Sequence, residues 1–104
     1  MTNIYWTEMK KLHNMLEEEG IPHKIIKDVF DGYQLAYPDE KNPVCDVICH
    51  EYSYGGKKGL LEMSGLCPED EEGVIGFMTA KQCYKKIYKH FMKNLDDLDY
   101  APWG

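Results

Sequence analysis

An Asp31-Gly32 pair stands between two runs of alternating character, residues 23–30 and 33–37, and no other feature restricts the folds open to this chain so sharply. Asp-Gly supplies the positive φ angles of a two-residue type I′ turn, whose twist matches that of antiparallel strands. Such a turn fixes a register. It sets Phe30 opposite Tyr33, Asp28 opposite Leu35 and Ile26 opposite Tyr37, all on one face. That face is aromatic and aliphatic apart from Asp28, so it is assigned to the core. Ile25, Lys27, Val29, Gln34 and Ala36 make the opposite, more mixed face.

A helix is expected on each side of this strand-forming region. Thr7 reads as an N-cap with Glu8 favourable to the helix dipole, and Met9, Leu12 and Leu16 follow at helical spacing. Gly20-Ile-Pro22 is a stop signal, because glycine takes the left-handed position and the next apolar residue folds back on the last turn. Near the other end, Thr79 and Gln82 form the two halves of a capping box. Cys83, Ile87 and Phe91 give that helix a buried line, and the lysines at 81, 85, 86, 89 and 93 give it a basic outer face. Between the helices, after the polar turn at 38–43, further strands are expected over 44–52, 60–63 and 74–78. The reading is an α+β domain: an antiparallel sheet of four to five strands flanked by an N-terminal and a C-terminal helix, both on one sheet face. Residues 1–94 form this single domain, and 95–104 form a C-terminal tail with no period.

Charge narrows the functional classes. The 104 residues carry a formal net charge of −6, which disfavours a general nucleic-acid binder. Every cation is lysine, so bidentate guanidinium clamps are absent and an anion site must use lysine, hydroxyl and backbone N–H groups. No apolar run approaches the ~20 residues of a membrane span, and no secretory signal precedes the first helix. A soluble cytoplasmic protein is expected. Cys45 and Cys49 lie four steps apart on a strand, about 13 Å, too far to share an ion or a disulfide. With no CxxC pair, Cys45, Cys49, Cys67 and Cys83 read as buried thiols, and no metal ligands are assigned. His13, His23 and His90 are taken as surface residues.

The segment from His50 to Gly59, His-Glu-Tyr-Ser-Tyr-Gly-Gly-Lys-Lys-Gly, is the candidate binding loop. Backbone N–H groups around its glycines offer an anion-holding concavity. Lys57 and Lys58 add charge, Ser53 adds a hydroxyl and His50 a polar contact. Tyr52 or Tyr54 offers a flat surface for a base to stack on. Gly55, Gly56 and Gly59 let the main chain approach a ligand. The competing interpretation is a long hairpin loop whose glycines only turn the chain. Catalysis has less support. Ser53 and His50 leave opposite faces of a strand end, as do Cys49 and His50, and Glu51 and Glu62 sit in no hydrolase motif. Neither a GxxxxGK[ST] nor a GxGxxG pattern occurs. No catalytic residue and no cofactor is assigned, and the chain is read as a non-enzyme.

His50-x-x-Ser-Tyr-Gly-Gly-x-x-Gly-Leu-Leu-Glu-Met, with Gly76-Phe-Met-Thr-Ala80 opening the last helix, resembles a group of small proteins carried by phages and prophages of Gram-positive gut bacteria. The resemblance covers roughly residues 20–92. It implies an accessory protein acting against host immunity in the host cytoplasm. Two modes follow, each compatible with a homo-oligomer. In one, the glycine-lysine loop sequesters a nucleotide-type signal. In the other, an acidic surface with an aromatic tail, Asp96, Asp97, Asp99, Tyr100 and Trp103, binds a host defence effector such as a CRISPR nuclease and blocks its nucleic-acid groove.

Overall fold

The computed structural model describes residues 3–99, and its elements run α1 (Ile4–Glu18), β1 (Lys24–Val29), β2 (Gly32–Tyr37), β3 (Cys45–Cys49), β4 (Leu61–Ser64), β5 (Val74–Met78) and α2 (Ala80–Asp99). The five strands form one antiparallel sheet in the order β1-β2-β3-β4-β5. Each strand pairs with its neighbour in the chain, the meander that short connections favour. The expected α+β fold, an antiparallel sheet flanked by an N-terminal and a C-terminal helix, is what the chain adopts. Among the described residues, no helix is long and apolar enough to cross a membrane.

Period-two alternation builds the inner face. Leu35 and Tyr37 of β2, Cys45, Val47 and Cys49 of β3, and Leu61 and Met63 of β4 are all buried in one cluster. Met9, Leu12 and Leu16 from α1 and Cys83 and Ile87 from α2 complete it, so both helices cover the same sheet face. All four cysteines are buried and free. Burial pushes the Cys45 thiol up to about 12 and the Cys49 thiol to about 11, so both stay protonated and unreactive at neutral pH.

Helix α1 starts earlier than its sequence suggests. Asn3, not Thr7, is the N-cap: its side chain accepts the Tyr5 N–H at 2.9 Å, and the apolar lead Ile4-Tyr5-Trp6 is helical. That extension has a packing reason, since Tyr5 and Trp6 lie against the core and Trp6 meets Tyr33 at 4.6 Å between ring centroids. The stop at Gly20 is as expected. Gly20 has φ +66°, its N–H donates to the Glu17 carbonyl, and the Ile21 N–H donates to the Leu16 carbonyl at 2.9 Å. This is a Schellman motif, with Ile21 folded back and buried. Helix α2 opens with the expected capping box: Gln82 Oε1 accepts the Thr79 N–H at 2.8 Å, and the Thr79 hydroxyl accepts the Gln82 N–H at 3.3 Å. It then continues through Asp99, so the first five residues of the expected tail are helical.

The hairpin register differs from the sequence reading. The observed pairs are Lys24 with Ala36, Ile25 with Leu35, Ile26 with Gln34 and Lys27 with Tyr33, and a bulge follows before Val29 pairs with Gly32. Phe30 and Asp31, at φ +48° and +65°, are the two turn residues, and Asp28 at φ +61° forms the bulge. Ile25 therefore packs on the core, while Phe30 stands exposed. The cause is Gly32. A Cβ there would overlap the Cys49 carbonyl oxygen and crowd His50, so this glycine is required for the close approach of β3 and belongs to the strand instead of the turn.

Candidate functional site

The chain leaves β3 at Cys49 and folds back on itself at His50. The His50 N–H donates to Ser53 Oγ at 2.9 Å, and that hydroxyl donates to the His50 carbonyl at 3.0 Å. The Ser53 N–H reaches the same carbonyl at 3.2 Å, and His50 Nδ1 accepts the Tyr52 N–H at 3.0 Å. His50 and Ser53 are both buried in consequence. Gly56 lies directly on this knot, where a Cβ would overlap the His50 carbonyl oxygen. A single 3₁₀ turn, Gly56–Lys58, follows between left-handed Gly55 and Gly59.

This closure changes what the loop offers. The N–H groups of Tyr54, Gly56, Lys58, Gly59 and Leu60 are bonded to Glu62 Oε1, the Ser53 carbonyl, the Gly55 carbonyl, the Gly56 carbonyl and again the Gly55 carbonyl. Together with those of Tyr52 and Ser53, these N–H groups are taken by internal acceptors, which leaves fewer of them for the anion-holding concavity expected from the glycines. The Ser53 hydroxyl and the His50 ring are likewise bonded within the loop, each to main-chain groups and not to each other. Outward from this rigid base stand Tyr52, Tyr54, Lys57 and Lys58, all exposed.

Strand β5 adds a residue that sequence reading did not single out. Met63 pairs with Ile75, but Leu61 pairs with Met78, so β5 carries one extra residue opposite β4. Phe77 in this bulge has φ +55° and is 57% exposed. Its N–H leaves the sheet ladder and donates to the Tyr54 carbonyl at 3.1 Å. Bulges re-aim side chains, and this one sets the Phe77 ring outward with Lys58 Nζ 6.0 Å from the ring centroid. A depression of about 320 Å³ lies between Tyr54, Phe77, Lys57 and Lys58, floored by Ser53 and Gly55 and edged by Glu51. The signal was available: a glycine at position 76, inside a strand pattern, marks a bulge. Phe30 is a second exposed ring, packed at 5.1 Å on His50 and 5.3 Å on Tyr52.

On its other side Lys58 borders a second depression, of about 590 Å³, between α1, the loop and the start of α2. Lys11 and Lys81 also line it, as does Glu8. Glu8 Oε1 accepts the Ala80 N–H at 2.9 Å, and the carboxylate pairs with Lys11 at 2.9 Å. Burial pushes the Glu8 carboxyl up, but the Ala80 N–H and Lys11 outweigh it and hold the group below its ordinary range.

Comparison with protein families, with curated proteins and with solved structures gives no match.

Of the residues expected to bind a ligand, Tyr54, Lys57, Lys58, Gly55 and Ser53 share one depression, while Tyr52 turns toward Phe30 and His50. Of those expected to bind a partner, Asp96, Asp97 and Asp99 lie on the last turn of α2, and Tyr100 and Trp103 lie outside the described residues. The histidines are not simple surface residues. The His23 side chain is 2% exposed and His13 Nδ1 lies 2.7 Å from its Nε2, while His90 Nδ1 is 2.8 Å from the Tyr37 hydroxyl.

Proposed function

We propose that this chain is a non-catalytic binding protein of phage or prophage origin that captures a nucleotide-type signal in the host cytoplasm and so blunts a host defence. The observation that supports this reading is the corner made by Tyr54, Lys57 and Lys58, on a loop closed by its own hydrogen bonds, with Phe77 of the β5 bulge. Two exposed rings offer faces for a base, and base–aromatic stacking contributes about 1–3 kcal/mol per base. Two exposed ammonium groups offer point charges for phosphate in a chain without arginine. The depression is at the small end of ligand sites, ~300–1,000 Å³, so a mononucleotide unit fits it better than a long oligonucleotide. An overall acidic surface repels polymeric nucleic acid while the local lysines attract a small anion.

The test is isothermal calorimetry of the purified protein against a panel of mononucleotides and cyclic dinucleotides, with Lys57→Ala/Lys58→Ala alongside. The double variant should fold normally and lose at least ten-fold in affinity. Equal affinity in wild type and variant, or heat from no member of the panel, would remove the proposal.

A second reading rests on Phe30 and Tyr52, an edge-to-face pair standing exposed beside the loop. Exposed aromatic anchors are characteristic of protein interfaces. On this reading the chain binds a host defence effector through these two rings. Phe30→Ala/Tyr52→Ala should then abolish inhibition of the effector, whereas Lys57→Ala/Lys58→Ala should leave it intact.

A further inference from the structure

We infer that His13, Glu17 and His23 form a binding site for a divalent transition-metal ion of the zinc type, clipping the end of α1 to the entry of β1. His13 and Glu17 are four apart on α1 and so project from one face of the helix. The Schellman turn at Gly20 then reverses the chain and returns His23 alongside them. The three ligand atoms, one from each residue, lie within 4.8 Å of one another. His23 Nε2 is 2.7 Å from His13 Nδ1 and 3.4 Å from Glu17 Oε1.

The orientation of His23 is what distinguishes this cluster from a chance meeting of polar side chains. Its Nδ1 is 2.8 Å from the Ile21 carbonyl oxygen. A carbonyl can only accept, so Nδ1 carries a proton, and in the neutral ring Nε2 presents its lone pair toward His13 and Glu17. A ring nitrogen fixed by a main-chain carbonyl on its far side is the arrangement that metal-ligating histidines use. The ring is buried, at 2% exposure, and pre-set, whereas the Glu17 side chain is 62% exposed and free to swing in. Burial, and then the neighbouring His23, keep the His13 imidazole below its ordinary pKa despite Glu17, which favours the neutral form a metal needs.

Tetrahedral ligands at ~2.0–2.1 Å from zinc are about 3.3 Å apart. The His23–Glu17 separation already fits at 3.4 Å, and the His13–His23 contact of 2.7 Å must open slightly, by rotation of the His13 ring. With both rings neutral and no metal bound, the Nδ1 proton on His23 leaves His13 as the donor, its Nδ1–H directed at His23 Nε2. On binding, that proton leaves Nδ1 and the neutral ring takes one at Nε2, so both imidazoles coordinate uncharged and no net proton is released. Two imidazoles and one carboxylate suit zinc, cobalt, nickel or copper and not magnesium or calcium. Three protein ligands leave coordination positions for water.

The experiment titrates untagged full-length protein with cobalt(II) chloride near neutral pH and records the visible spectrum, followed by competition with zinc. One equivalent should bind, producing d–d bands without the near-ultraviolet band of cobalt–thiolate bonds. Histidine-selective ¹⁵N NMR should show His13 protonated at Nδ1 before metal and at Nε2 after it. His13→Asn and Glu17→Gln, both at the surface of α1, should each lower affinity at least ten-fold, and His90→Asn should not. Zinc should raise the thermal midpoint of the wild type and not of the two variants. Absence of saturable binding, a thiolate band, or affinity unchanged in His13→Asn and Glu17→Gln would each overturn the assignment.

Discussion

Phe77 concentrates the tension between stability and use at one residue. An aromatic residue at φ +55°, with its ring more than half exposed, is held where the backbone disfavours it and burial returns little. Left-handed backbone costs a non-glycine residue about 1–2 kcal/mol, and asparagine suffers least among residues with a Cβ. Phe77→Asn should therefore leave the unfolding free energy unchanged or raise it by up to about 1 kcal/mol. Nucleotide binding should fall at least ten-fold with the loss of the ring. Chemical denaturation and calorimetry on the same preparation separate the two effects. A loss of stability above about 2 kcal/mol would identify Phe77 as a packing residue and take away its place in the proposed site. Gly56 shows the opposite economy. Its contact with the His50 carbonyl closes the loop, so the glycine-rich sequence serves internal packing, and the ligand-facing chemistry falls to the flanking lysines and rings.

At the scale of elements, Gly32 marks both what the sequence conveyed and where it misled. Replacing it with alanine should force β2 and β3 apart, because the new Cβ overlaps the Cys49 carbonyl. The expected cost is about 1–3 kcal/mol, read from urea denaturation; an unchanged midpoint would mean that the strands meet less closely than described. Asp31-Gly32 correctly announced a hairpin, yet its position in the turn was decided by a third strand that the dipeptide does not contain. Local signals with local causes were legible: the glycine stop of α1, the capping box of α2 and the alternation of Cys45, Val47 and Cys49. Signals whose cause lies elsewhere in the fold were not. Ile4, Tyr5 and Trp6 became helical because the core and Tyr33 receive them. The loop at 50–59 read as an open anion nest because no sequence pattern reveals where its N–H groups will turn. His13 and Glu17 had helical spacing in plain view, but His23 joins them only once the Schellman turn has brought it back.

For the whole molecule, one long-range hydrogen bond joins Glu8 of α1 to the first turn of α2. A carboxylate of α1 accepts the Ala80 N–H across 72 residues of sequence, acting at the helix N-terminus where negative charge is favoured. Thr79 and Gln82 already cap each other, so Glu8 adds charge and attachment to a helix that would form without it. Its pKa is held below the ordinary value of 4.5 in the fold. A carboxyl with a lowered folded-state pKa binds fewer protons when native than when unfolded. Its contribution is therefore complete above pH ~4.5 and disappears as the pH falls through the folded-state value. Glu8→Gln keeps an oxygen for the Ala80 N–H but removes the charge. At pH 7 the variant should be less stable by about 0.3–1 kcal/mol, the usual range for a charge at a helix terminus. At pH 3 the gap should narrow, because the wild-type group is then becoming neutral as well. Subtracting the two stability curves removes the contribution of every other carboxylate, including that of Glu69 beside Lys86. A gap of constant size from pH 7 to pH 3 would mean that Glu8 acts through packing and hydrogen bonding alone, with its charge contributing nothing to the docking of α1 on α2.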